Sequence, residues 1–307
     1  MNGDIPPAVQ VFAVEDTKVQ LTWRGLRRGD LRFRVAGDDG RSIAAEVSLH
    51  AAGGPGAVVL SGLPAGRPFA IEVGGPALGD GGPRVVLPGR TLDPLPGEEL
   101  TRVGTISDLH LGTRVFGKLG TIGEDPTPDV HHPERCTGAA LVEAASWGAR
   151  RVVAKGDLTN KGQVYQWRRY ADLVAASPVP VDAVPGNHDR AFREGQPGLA
   201  PEDAAPAFGL EMALPILVRD LPGLRMVLVD STTDRRDGGR LHHHLDDVLD
   251  AVADAAPDTH VLVALHHQLH RQIPAEGLPV GIGRRESVDF LDRLDATGRR
   301  VLGPSGH

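Results

Sequence analysis

Aspartate and histidine stand two residues apart in Ser107-Asp108-Leu109-His110, and four further segments carry the same kind of chemistry. They are Lys155-Gly156-Asp157-Leu158-Thr159-Asn160, Pro185-Gly186-Asn187-His188-Asp189, Leu265-His266-His267 and Ser305-Gly306-His307. Hard oxygen donors mixed with imidazoles suit Mn, Fe, Zn or Ni better than Ca. Glycines beside them let the backbone turn sharply and approach a cluster. Taken singly, each segment has a bland explanation, since Asp-x-His arises by chance and Gly-Asp is a common turn. Order and spacing carry the weight. Asp108 and Asp157 lie about 50 residues apart and Asp157 and Asn187 about 30, each gap holding one helix and one strand.

Those residues need strand ends to hold them. From residue 101 the patterning predicts strands over Arg102 to Ser107, Arg151 to Ala154, Pro180 to Val184, Arg225 to Asp230 and His260 to Leu265, with another beginning at Arg300. Helices are expected over Glu134 to Trp147, Val164 to Ala176, His244 to Ala255 and Glu286 to Asp295. Alternation of this kind implies a layered α/β domain whose ligands sit at the carboxyl ends of strands. Residues 8 to about 92 read differently. VQVFAVE, KVQLTWRG, LRFRVAG, IAAEVSLHA, AVVLSGL and FAIEVGG are short period-two runs between Gly, Pro and Asp turns, the pattern of a small antiparallel β-sandwich. Thr91 to Leu100 reads as a linker, so an all-β domain over 1–98 and an α/β domain over 99–307 are expected.

Composition bounds the rest. The 307 residues are 40% hydrophobic and 24% charged, with a net charge of −7 and a single cysteine. Such a chain can build a sizeable core, and its acidity argues against a surface for long nucleic acids. Only His50 of the 13 histidines precedes residue 100, so imidazoles and excess acid share the same half of the chain. No apolar run approaches a membrane span, and MNGDIPPAVQ lacks the pattern of a secretory signal. A cytoplasmic protein without membrane partners is the expectation.

In sequence order, the chemical segments resemble the signature of the calcineurin-like metallophosphoesterase superfamily: Asp-x-His, Gly-Asp, Gly-Asn-His-Asp/Glu, His, then Gly-His-x-His. The match covers residues 101 to 307. It implies a four-layer α/β/β/α fold and two divalent transition metal ions (Mn, Fe, Zn or Ni). By that resemblance Asp108 and His110 bind the first metal, and Asp157 bridges both. Asn187, His266 and His307 bind the second, with His266 preferred to His267 because it directly follows the apolar strand. His188 faces the leaving group as general acid and, with Asn187, contacts substrate. The implied reaction is hydrolysis of a phosphodiester or phosphomonoester by a bridging hydroxide. A small phosphoester is the expected substrate, a nucleotide among the candidates. Val58 to Gly66 followed by Phe69 to Val73 resembles the later strands of a fibronectin type III domain.

Two features depart from the pattern. The sequence stops at the first histidine of Gly-His-x-His, which leads to the expectation of a C-terminally truncated catalytic domain. Asn160 stands where calcineurin-type phosphatases carry Asp and purple acid phosphatases Tyr, so the stretch looks more like bacterial cyclic-nucleotide-type phosphodiesterases. A nuclease, and a catalytically weak or inactive metal-binding scaffold, are the alternatives. Among remaining residues, His242-His243-His244 reads as a solvated turn and Arg28-Gly29-Asp30 as a chance turn. The insert between Leu111 and Pro133, with Glu124-Asp125 and His131-His132, reads as a lid or specificity loop, or as a segment without function. His270 and Arg271 are candidates for contacting phosphate or for plain solvent exposure. Cys136 reads as a small core residue, and Trp23, Trp147 and Trp167 as packing.

Overall fold

A computed structural model describes residues 9–37, 39–79, 85–116, 122–123, 130–190, 198–234, 236–270, 281–303 and 305–306. The chain divides into two compact units, Met1–Glu98 and Glu99–His307. His307, Arg271, Glu124 and Asp125 lie outside the described residues.

Among the described residues of the first unit are seven strands: β1 (Gln10–Val14), β2 (Lys18–Leu26), β3 (Gly29–Ala36), β4 (Val47–Ala51), β5 (Gly54–Ser61), β6 (Pro68–Gly74) and β7 (Val85–Arg90). They pair antiparallel in two sheets of order β1-β2-β5 and β4-β3-β6-β7. Alternation sends Val19, Leu21 and Trp23 of β2, Leu31 and Phe33 of β3, and Phe69, Ile71 and Val73 of β6 into one core. Period-two side chains on two sheets can share a core only face to face. Arg28-Gly29-Asp30 enters β3, where Asp30 takes a 2.8 Å hydrogen bond with His50 across the pair.

The second unit alternates as expected. Its elements are β8 (Val103–Ile106), the short pair β9 (Val115–Phe116) and β10 (Ile122–Gly123), α1 (His132–Ser146), β11 (Arg151–Lys155), α2 (Val164–Ala175), β12 (Val181–Val184), α3 (Pro201–Phe208), β13 (Ile216–Leu221), β14 (Leu224–Val229), α4 (Leu245–Ala253), β15 (His260–Leu265), α5 (Arg284–Ala296) and β16 (Val301–Leu302). One sheet is parallel, in the order β12-β11-β8. The other runs β13-β14-β15-β16, with a β13–β14 hairpin on an otherwise parallel sheet. Strands β11, β12, β14 and β15 are near-continuous runs of buried Val, Leu and Ala, which a parallel strand covered on both faces requires. Three apolar clusters account for that burial. Val152, Ala154, Val181 and Ala183 pack with Leu141, Trp167, Tyr170 and Ala204 of the helices α1 to α3. Val227, Val229, Val261 and Val263 pack with Val248, Val252, Phe290 and Leu294 of α4 and α5. A third cluster joins Val153 and Val184 of one sheet to Met226, Leu228, Leu262 and Ala264 of the other. Among the described residues no helix is long and apolar enough to cross a membrane.

Two packing expectations need correction. Cys136 is exposed, because it sits on the outer side of α1 with its sulfur 3.4 Å from His132 Nε2. Trp147 follows the end of α1 and is 47% exposed, with the Arg102 guanidinium 5.2 Å from its ring centroid. A cation over an aromatic face, rather than burial, holds that ring. Trp23 and Trp167 are buried.

Candidate metal centre

The parallel register aligns the strand exits. Ala154 pairs with Ile106, Lys155 with Val184, and Leu265 with Val229. Asp108, Asp157 and Asn187 therefore leave one sheet at the same edge, and His266 leaves the other. Backbone bonds lock the first two exits together, with Asp108 N donating to Gly156 O at 3.1 Å and His110 N to Asp157 O at 2.8 Å. Asp108 (φ 56°), His110 (φ 45°) and Asp157 (φ 49°) are the three non-glycine residues with positive φ among those described. Left-handed backbone at such residues costs about 1–3 kcal/mol each and persists where the surroundings impose it, commonly at functional sites. Every such position here belongs to a residue singled out for metal binding.

Asp157 stands at the middle. Its Oδ2 lies 3.5 Å from His110 Nε2, and its Oδ1 lies 3.4 Å from His266 Nε2. Donor atoms of His110, Asp157 and His188 fall within 4.8 Å of one another, as do those of Asp108, Asp157 and His266. One carboxylate thus serves two clusters. The grouping differs from the resemblance in two respects: Asp108 falls with His266 rather than with His110, and His188 falls with His110 and Asp157.

His266 decides whether a metal fits. Its Nδ1 donates to the Lys155 carbonyl at 2.8 Å, leaving the lone pair on Nε2. That atom faces Asn187 Oδ1 at 3.1 Å as well as Asp157 Oδ1. Lone pairs of imidazole, amide and carboxylate converge there, an arrangement that a cation or a proton at its centre would satisfy. Burial lowers the pKa of His266 and so works against the proton. A ligating histidine that gives its second N–H to a backbone carbonyl is the usual outer-shell arrangement of a metal site. The donor set therefore fits divalent transition ions. His267, one residue on, is fully committed elsewhere: Nε2 donates to Asp237 O at 3.1 Å, and Nδ1 accepts from Ser231 Oγ at 2.9 Å.

Glycine is required twice at this edge. A Cβ on Gly156 (φ 87°) would stand 2.4 Å from His266 Nδ1, and one on Gly186 would stand 2.2 Å from Asp157 N. Either would push a ligand away.

Burial raises the Asp157 pKa to about 6. Burial and then His188 lower His110 to about 4. Binding a cation below pH 6 must therefore displace a proton from Asp157, whereas His110 competes only in stronger acid. The apparent affinity for Mn²⁺ is expected to fall as pH falls, by about fivefold between pH 6 and 5. Calorimetric titration with Mn²⁺ across that range checks the slope.

Sequence reasoning gave no role to Asp189, and the structure does. It is fully buried and accepts from Gly186 N at 2.8 Å, Thr159 N at 2.8 Å, Thr159 Oγ1 at 2.7 Å and Leu158 N at 3.2 Å. These bonds tie the Asp157 loop to the Asn187 loop. Its place directly after Asn-His was the available signal. Asp189→Asn turns an acceptor into a donor facing N–H groups and should lower stability by on the order of 3 kcal/mol, read from urea unfolding. Asn160 acts through its backbone: its carbonyl, 3.0 Å from His188 Nδ1, holds the ring. Of the other candidates, His131 takes a 3.0 Å bond from Arg114, and His242 and His243 are exposed.

No family model matches the sequence, and no curated protein matches it. Among solved structures the chain is similar to PhoD, at 10% identity and a TM-score of 0.41 over 99% of this chain and 72% of that one. It is also similar to a dimetal phosphatase from Danio rerio, at 12% identity and a TM-score of 0.43 over 68% and 88%. A redesigned β-sandwich protein matches 28% of this chain over 90% of its own, at 16% identity and a TM-score of 0.22. Likenesses this distant carry no weight of their own beside the donor geometry.

Proposed function

We propose that the Glu99–His307 unit is a dinuclear metal-dependent phosphoesterase acting on small phosphoesters, with diesters preferred. The observation that carries this reading is the Asp157 carboxylate, one oxygen towards His110 and the other towards the His266–Asn187 pair. His110 and Asp157 would hold one ion, Asp157, Asn187, His266 and Asp108 the other. His307 remains a proposed ligand by the sequence resemblance alone. Cations bound there supply Lewis acidity towards phosphoryl oxygens and a nucleophilic water at neutral pH. The protein's own groups do the rest. His188 donates its Nδ1 proton to Asn160 O, so its Nε2 is the atom available to protonate a departing alkoxide. By the sequence resemblance Asn187 would also contact substrate, and Asp189 fixes the turn that carries both. The three apolar clusters support a four-layer α/β/β/α arrangement, and the two antiparallel sheets of the first unit support a fibronectin III-like sandwich.

Hydrolysis of bis(p-nitrophenyl) phosphate against p-nitrophenyl phosphate, with Mn²⁺ and with EDTA, tests the reading. Turnover that favours the diester and disappears in EDTA is expected. EDTA-insensitive turnover, or none on either substrate, would sink it.

A further inference from the structure

A cavity of about 1090 Å³ opens between the loop that follows β14 and the start of α5. Arg236 and Arg240 line it from the loop, and Arg284 and Arg285 from the helix. Four guanidiniums line this cavity beside three carboxylates, those of Glu286, Asp289 and Asp292, and Arg284 already has a partner. The guanidiniums of Arg236, Arg240 and Arg285 have no hydrogen bond or ion pair with a side chain among the described residues, and all three residues are exposed. Of the acids in the lining, one is already engaged. Glu286 accepts from the backbone N–H groups of Leu241 and His242, the latter at 2.6 Å, so it staples the loop to α5. Asp289 and Asp292, one and two turns further along α5, complete the acidic side of the wall.

Position gives the cavity a connection to the metal centre. Its loop begins at Asp230, at the carboxyl end of β14, beside the strand whose end carries His266. Ser231 and Asp237 of that loop bond both nitrogens of His267. Gly239, on the cavity wall, lies so close to His267 that a Cβ there would stand 2.5 Å from the ring. The His267 ring is in turn 4.9 Å from that of His266. One buried imidazole therefore separates the cavity wall at Gly239 from a proposed metal ligand. We infer that this cavity binds a phosphate group of the substrate remote from the scissile bond, as in a nucleotide carrying a second phosphate. Arginine is the residue suited to such a group, because its planar fork bonds phosphate oxygens in pairs. The cavity is bounded by Asp289 and Asp292, which suits a compact anion better than a long polyanion.

The link to substrate rests on the phosphoesterase reading; the anion site itself does not. Arg240→Ala, Arg285→Ala and the double variant serve as probes, since both side chains are exposed and neither is a proposed metal ligand. Calorimetry with inorganic pyrophosphate on the metal-loaded full chain should show binding at least about tenfold weaker, or one binding event fewer, in the double variant. Identical isotherms would overturn the site. So would tighter binding of a uridine oligonucleotide than of pyrophosphate with a steep salt dependence, which would make this a nucleic-acid face. The kinetic arm compares the p-nitrophenyl ester of thymidine 5′-phosphate with and without a 3′-phosphate. Wild type should favour the bisphosphate through KM, and the variants should lose that preference while keeping their rate on bis(p-nitrophenyl) phosphate. Equal preference in wild type and variants would remove the link to substrate. Absence of all turnover would count against the phosphoesterase reading, with the isotherms still deciding the site.

Discussion

Asp157→Asn should strip the protein of both metals and of all phosphoester turnover while leaving the α/β core folded. The carboxylate faces His110 with one oxygen and His266 with the other, so asparagine keeps one acceptor and turns the other into an N–H donor. It also removes the charge common to both clusters, leaving no carboxylate with His110 and only that of Asp108 with His266. Misfolding is not the expected cause of the loss. Burial already raises the Asp157 pKa to about 6, so at pH 7 the metal-free protein holds an ionised group that its surroundings disfavour. A neutral amide of the same shape relieves that cost, and the metal-free variant should melt no lower than metal-free wild type at pH 7. Elemental analysis should find fewer than one ion per chain. A variant that still binds two ions would show that Asp157 is not the shared ligand.

His188→Ala should behave in the opposite way, keeping its metals and losing turnover by about 10²–10⁴-fold, the usual contribution of a general acid. The backbone supports this separation. His188 N donates to Asp157 Oδ1 at 2.9 Å, a bond that alanine retains, and the turn itself is held by Asp189. The imidazole, packed edge-on against His110 at 4.6 Å, is the part removed. Its donor atoms also lie within reach of the His110–Asp157 cluster, so the metal count of this variant is informative. Turnover lost with two metals retained assigns His188 to the leaving group. Loss of an ion makes it a ligand instead. The deficit should also shrink for leaving groups of low pKa such as p-nitrophenolate, which need little protonation.

The candidate ligand residues were legible because each sits in a short local motif at the end of an apolar strand. Asp108 and His110 follow Val103 to Ile106, and His266 follows six residues of β15, so period and punctuation were sufficient to place them. Choosing His266 over His267 needed only the direction in which an apolar strand exits. Other features depend on groups brought together from far along the chain. Asp189 acts on residues 158 and 159, and Arg190 bonds Asp230 at 2.9 Å and Thr232 at 2.5 Å. No periodicity announces such contacts. Helix α3 escaped notice because Pro201 and Pro206 lie inside an Ala- and acid-rich stretch that carries little apolar pattern. Strand β13 escaped because its six residues belong to a hairpin whose partner is the buried β14. The arginine cavity draws on two segments more than 40 residues apart, and neither is remarkable as a string of letters.

Cys136 and Trp147 show the limit from the other side. Both lie on or just past α1, where apolar neighbours suggested burial, yet a helix of weak amphipathicity leaves the assignment of its faces open to packing. Arg102, distant in sequence, settles the matter for Trp147 by lying over its ring.

The most direct test is anomalous diffraction at the manganese edge from crystals of the full chain grown with Mn²⁺. Two peaks about 3.5–4 Å apart, one on each side of the Asp157 carboxylate, are the expected result. A single peak, or peaks away from Asp157, would contradict the dinuclear centre on which the proposed chemistry depends.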